Sequence, residues 1–173
     1  MSHVRVLRNL GQRHRQPELM DQPELDEREH ARALSGLARI NRLSRSAAIF
    51  WPPLKRLAEQ QQPQPLRVLD VACGGGDVLV ALAKHALRNR LALQLAGCDM
   101  SVTALEVARR QAKASGLTLE FFEHDVLKTP LPARFDVVMC SLFLHHLDEP
   151  EAIAVLRSMS RAASGENGAS SAP

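Results

Sequence analysis

Apolar and polar positions fall in blocks along this chain, and the blocks alternate between strand-like and helix-like periods. Residues 66–70 (LRVLD) are short, mostly apolar and partly β-branched, which predicts a buried strand, and they run directly into a glycine cluster at 72–76. The following VLVALA, residues 78–83, is apolar on more than one face and predicts a helix packed on a sheet. Residues 91–98 (LALQLAGC) predict a second buried strand ending at Asp99. Ser101 then offers an N-cap for a helix through Ala114, with Ala104, Leu105, Ala108 and Ala112 as its buried stripe. A third strand is predicted at 118–123 (TLEFFE), a loop at 130–132, and a fourth strand at 135–140 (FDVVMC), nearly continuous in apolar residues as when both faces are covered. Asp148 and Glu151 frame the start of a last helix, with Ile153, Leu156 and Met159 expected on its buried side.

The N-terminal third has a different texture. Residues 1–25 read as a basic flexible arm. Asp26 and Glu29 have the spacing of a capping box, and a stripe of Ala33, Leu34, Leu37, Ala38 and Ile40 predicts an amphipathic helix running to about residues 44–48. Pro52-Pro53 should interrupt it, with a short helix restarting over 54–59, and residues 60–65 (QQQPQP) form a polar linker. The domain plan is therefore an arm (1–25), a helical segment (26–62), an α/β domain (63–163) and a disordered polar tail (164–173).

Composition changes this picture little. The 173 residues suit one domain, and 45% hydrophobic with 24% charged residues is ordinary for a globular protein. With 3% aromatics and no Tyr there is little to stack bases on, and the net charge of +3 reflects an Arg-rich surface, so no nucleic-acid partner is expected. Cys73, Cys98 and Cys140 have neither zinc spacing nor an even count, and all lie near predicted strand ends, where a small thiol packs well. No stretch is long and apolar enough for a membrane span, and residues 1–16 lack the apolar core of a secretory signal. The expected location is the cytoplasm.

The chemistry sits where the first strand meets its glycines. Gly74, Gly75 and Gly76 let the backbone take positive φ and let a bulky group approach the main chain. A dinucleotide fingerprint counted from Gly74 would need glycine or alanine at the position of Leu79, and Asp70 already stands at the strand end, so a nicotinamide-dependent oxidoreductase is the less favoured reading. A carboxylate at the tip of the second strand, Asp99, is placed to accept ribose hydroxyls from a nucleoside lying over that loop.

The segment DVACGGGD, residues 70–77, resembles the first motif of class I S-adenosylmethionine-dependent methyltransferases, with Ala72 in place of the first glycine, and its wording is nearest the ubiquinone/menaquinone C-methyltransferase-like group. The resemblance implies S-adenosylmethionine as cofactor, held by Asp70, Ala72, Cys73, Gly74, Gly75 and Gly76. It further implies Asp99 on the ribose, Met100 against the adenine ring, Asp125 and Val126 at the adenine edge, and Ser141 beneath the methionine end. It implies a Rossmann-like parallel α/β sheet of order 3-2-1-4 with N-terminal helices, and a small apolar or phenolic acceptor methylated on carbon or oxygen. In that family an N-terminal segment shapes the acceptor pocket. Residues 34–51 either do this or only cover a sheet face, and Phe50 and Trp51 either line that pocket or pack in the core. His145 and His146 read as turn residues rather than as a metal site, since adjacent histidines face different ways and a third ligand is missing.

The resemblance covers about residues 66–163. The usual C-terminal strands are not recognisable in the polar residues 164–173, so strand 135–140 would be an exposed sheet edge. Three explanations stand: an early stop, a homodimer through that edge, or a degenerate relative that binds S-adenosylmethionine without transferring the methyl group.

Overall fold

A computed structural model describes residues 46–132 and 134–164. The basic arm, the capping box at Asp26, the apolar stripe from Ala33 to Ile40 and residues 165–173 of the polar tail lie outside the described residues.

Helix α1 (Ser46–Gln61) leads into strand β1 (Leu66–Val71), followed by α2 (Asp77–Asn89), β2 (Leu93–Asp99), α3 (Val102–Ala114), β3 (Glu120–Glu123), β4 (Val137–Cys140), a 3-10 turn (Leu144–His146) and α4 (Glu149–Ser164). The strands form one sheet in the order β3-β2-β1-β4, and every neighbouring pair is parallel. This is the sheet expected from the sequence. Its register sets Val71 opposite both Cys98 and Cys140, so three strands end in one row.

Two cores explain why the strands read as apolar runs. Leu66 and Val68 of β1 face one core with Leu95, Phe121, Leu79, Leu82, Leu105 and Ala108, beneath α1, α2 and α3. Leu69 and Val71 face the other, with Ala96, Cys98, Leu131, Phe135, Val155 and Met159, beneath α4 and the loop before β4. Central β1 is thus covered on both faces and is buried at every position except Arg67. Arg67 instead forms an ion pair with Asp136 at 2.7 Å, fastening the start of β1 to the approach to β4.

Three details depart from the sequence reading. The Pro52-Pro53 pair does not break the helix: both prolines lie inside one continuous α1. Proline's φ is already helical, and burial of Leu54 and Ala58 against the sheet holds the two halves in line despite the lost amide donors. The second, third and fourth strands start later than their apolar runs, at Leu93, Glu120 and Val137. Helix α4 buries Met159 as expected but not the other two residues of the expected stripe. Val155, Met159 and Ala162 are buried, whereas Ile153 and Leu156 are 43% and 49% exposed. The start of the helix is held by two side-chain bonds. There Asp148 Oδ1 accepts from the Glu151 amide (2.9 Å) and Glu151 Oε2 accepts from the Asp148 amide (3.0 Å), a reciprocal cap. Among the described residues, β4 pairs with β1 alone.

Candidate functional site

The turn out of β1 is built from left-handed residues. Ala72, Gly74 and Gly76 have φ of +54°, +53° and +76°. At Gly76 the glycine is required twice, since a Cβ there would lie 2.9 Å from Ala108 Cβ and 3.2 Å from the Phe121 ring. The loop is therefore seated directly on α3 and β3. At Gly74 the opposite holds: a Cβ would meet nothing within 4 Å, so this is the side on which the bare main chain faces open space. Gly76 also caps α2 without a side-chain bond, leaving the helix N-terminus beside the loop.

Asp99 ties this loop to the next strand. Its Oδ2 accepts from the Gly74 amide at 2.8 Å and its Oδ1 from the Ser101 amide at 2.9 Å. Ser101 Oγ in turn accepts from the Ala104 amide, so the expected N-cap of α3 is in place. The Cys73 amide donates to the Cys98 carbonyl (2.9 Å) and the His124 amide to the Asp99 carbonyl (3.0 Å), drawing the ends of β1, β2 and β3 together.

Asp70 lies beneath this knot. It is 1% exposed, and its Oδ1 has no hydrogen-bond partner among the described residues. Burial, and then the nearby Asp99 carboxylate, push its carboxyl up to about 8. The two aspartates thus act on one another at a single place. Burial also raises all three thiols: Cys73 lies well above the ordinary value, Cys98 is pushed up to about 12 and Cys140 to about 11. They are protonated packing groups at neutral pH rather than nucleophiles.

The remaining expected residues follow the C-terminal ends of β2, β3 and β4. Met100, 68% exposed, follows Asp99 directly. Asp125 and Val126 follow His124. Asp125 accepts from the Leu127 amide and pairs with Lys128 at 2.9 Å, which lowers its carboxyl, while Val126 packs against the second core. Ser141 is half-buried at the end of β4, next to Leu142, which is itself left-handed at φ +53°. Trp51 stacks on His85 of α2, with ring centroids 5.2 Å apart, and Phe50 packs on the first core, so both aromatics serve helix packing. The rings of His145 and His146 lie 4.0 Å apart, and no group of three or more metal-ligating side chains is assembled among the described residues.

Two further residues shape the site without having been singled out from the sequence. A Cβ on Gly97 would lie 2.7 Å from both Cys73 Sγ and Leu79 Cδ1, so the loop residue Cys73 packs into the space that this glycine leaves. A glycine inside a strand run is the signal for such an approach. For Leu142 no local signal exists.

Comparison with known proteins follows the same outline. A family described as "Methyltransferase domain" matches residues 68–165. Ubiquinone biosynthesis O-methyltransferase of Coxiella burnetii (strain Dugway 5J108-111) is 33% identical over 99 residues, covering 57% of this chain and 40% of that protein. The enzyme of the same name from Histophilus somni (strain 2336) is 39% identical over 103 residues, covering 54% and 41%. The chain thus spans about two fifths of the length of these relatives. Among solved structures, an O-methyltransferase (NcsB1) from neocarzinostatin biosynthesis in complex with S-adenosyl-L-homocysteine matches with a TM-score of 0.51 and 29% identity, over 57% of this chain and 32% of that one. The S-adenosylmethionine-dependent methyltransferase SibL in its apo form matches with a TM-score of 0.60 and 25% identity, over 82% and 37%.

Proposed function

Because the chain belongs to the methyltransferase domain family, whose class I members use S-adenosylmethionine, we propose that it transfers a methyl group from that cofactor to a small apolar or phenolic acceptor, on oxygen or carbon. The relatives named as ubiquinone biosynthesis O-methyltransferases favour oxygen as the methylated atom. The observation that carries the reading is the bond from the Gly74 amide to Asp99, which sets a strand-end carboxylate beside a loop glycine whose Cβ direction is open.

The residues present fit the cofactor. Asp70 supplies a buried carboxyl oxygen lacking a partner among the described residues, suited to a cationic amino-acid group. Asp99, its plane set by the amides of Gly74 and Ser101, would hold the ribose hydroxyls. Met100 would cover the adenine ring, with Asp125 and Val126 at its edge. Ala72, Cys73, Gly75 and Gly76 would shape the loop, and Ser141 would lie under the methionine end. The cofactor supplies an electrophilic sulfonium methyl group, so the protein's work is to orient the acceptor and exclude water, and no side chain is assigned as acid or base. No helix among the described residues is long and apolar enough to cross a membrane.

A homodimer through β4 belongs to the same reading. The strand's VVMC carries neither charge nor proline, the devices that keep sheet edges from pairing. Sedimentation should then show a two-fold dimer, and a monomer at all concentrations would remove it.

Calorimetry with S-adenosylhomocysteine and with NAD tests the cofactor, and transfer of a labelled methyl group to a panel of phenols tests the reaction. Binding of S-adenosylhomocysteine with transfer supports the proposal. Binding without transfer to any acceptor would leave a cofactor-binding protein, and binding of NAD alone would overturn the assignment.

A further inference from the structure

An ionised carboxylate without partners is not stable in a protein interior, and the surroundings of Asp70 offer it no compensating charge. It projects from the middle of a four-stranded sheet, between Gly97 of β2 and Met139 of β4. The groups around it are Asp99 and Cys98 from β2, Cys73 from the glycine loop and Cys140 from β4, and α2 opens with a further acid, Asp77. Each of these is neutral or negative. Among the described residues, the one charge that acts on Asp70 is that of Asp99, and it disfavours ionisation.

We propose that the cationic amino-acid end of the S-adenosyl ligand replaces a proton on Asp70, so that binding releases this proton to solvent and the site exchanges one positive charge for another. The inference rests on the reading of the site as an S-adenosyl site. Without ligand, Asp70 is a neutral acid at pH 7, beside the charge of Asp99. With a ligand ammonium at hand, the second negative charge becomes stable, and the proton leaves. Proton and ligand then compete for the same carboxyl group.

The sign follows from the direction of the shift. Asp70 is held at about 8 before binding, and a cation lowers that value. Apparent affinity for S-adenosylhomocysteine should therefore rise between pH 6 and 8, approaching about tenfold per pH unit, and level off above that. Calorimetry of S-adenosylhomocysteine binding at pH 7, in phosphate and in Tris buffers of different ionisation enthalpy, counts the protons. Release of close to one proton is expected. In Asp70→Asn both the release and the pH slope should vanish. Binding of S-adenosylhomocysteine without proton release, or a slope that survives in Asp70→Asn, would overturn the coupling while leaving the cofactor assignment intact. Absence of binding at every pH would overturn both. Should Asp70→Asn fail to fold, the proton count on the unaltered protein decides alone.

Discussion

The Gly74 amide donates to Asp99 Oδ2 at 2.8 Å, a single bond that joins the glycine loop to the tip of the neighbouring strand across 25 residues of chain. Loop position and the proposed ribose recognition therefore depend on one carboxylate. Asp99→Ala removes the acceptor for two backbone amides and the proposed partner of the ribose. Affinity for S-adenosylhomocysteine should fall by about 1–3 kcal/mol, read by calorimetry. An unchanged affinity would show that the ribose is held elsewhere.

Gly97 tests how tightly the loop is seated. A methyl group there would sit 2.7 Å from Cys73 Sγ and from Leu79 Cδ1, one in the loop and one in the first turn of α2. Gly97→Ala should cost about 1–3 kcal/mol in urea unfolding through overpacking, and it should weaken S-adenosylhomocysteine binding by displacing Cys73. Loss of stability with unchanged binding would separate the packing from the site.

Ala72 occupies a left-handed conformation at φ +54° with a side chain that disfavours it. Ala72→Gly relieves this strain, partly offset by the greater freedom of glycine in the unfolded chain. A net gain of up to about 1 kcal/mol is expected in the same unfolding assay, with no loss of cofactor affinity. A loss of stability would contradict the left-handed turn.

Asp136 accepts from the backbone amide, Nε and Nη2 of Arg67, and from Gln61 Nε2. These bonds, that of the Arg67 side chain foremost, hold its carboxyl down to about 2. Its value in the unfolded chain is about 3.9, so the stability it contributes is present above that pH and is lost as the pH falls toward 2. Acid titration of the folded protein should show this loss, and Asp136→Asn should flatten that part of the curve while lowering stability at pH 7. Equal acid sensitivity in both proteins would assign the loss to other groups.

Local sequence determined the parts that depend on neighbouring residues alone. A short, mostly apolar run leading into glycines specifies a buried strand and a sharp exit. Ser101 was legible as a cap, and Asp148 with Glu151 as a reciprocal one, because their bonds close within three residues. The sheet order followed once strands and helices were seen to alternate and the glycine-loop motif was matched, since right-handed crossovers leave few alternatives. Asp70 and Asp99 were legible as strand-end carboxylates.

Tertiary structure decided whatever depended on partners remote in the chain. It carried α1 through two prolines by burying Leu54 and Ala58, and it chose Val155 over Ile153 and Leu156 for the buried face of α4. It turned Trp51 onto His85 and packed Cys73 into the gap left by Gly97. It also made the two aspartates unlike: Asp99 accepts from two backbone amides, whereas Asp70 is buried with one oxygen unmatched among the described residues. Hydrogen bonding and burial are properties of assembled neighbours, and two identical side chains at two strand ends acquire different chemistry only once those neighbours are in place.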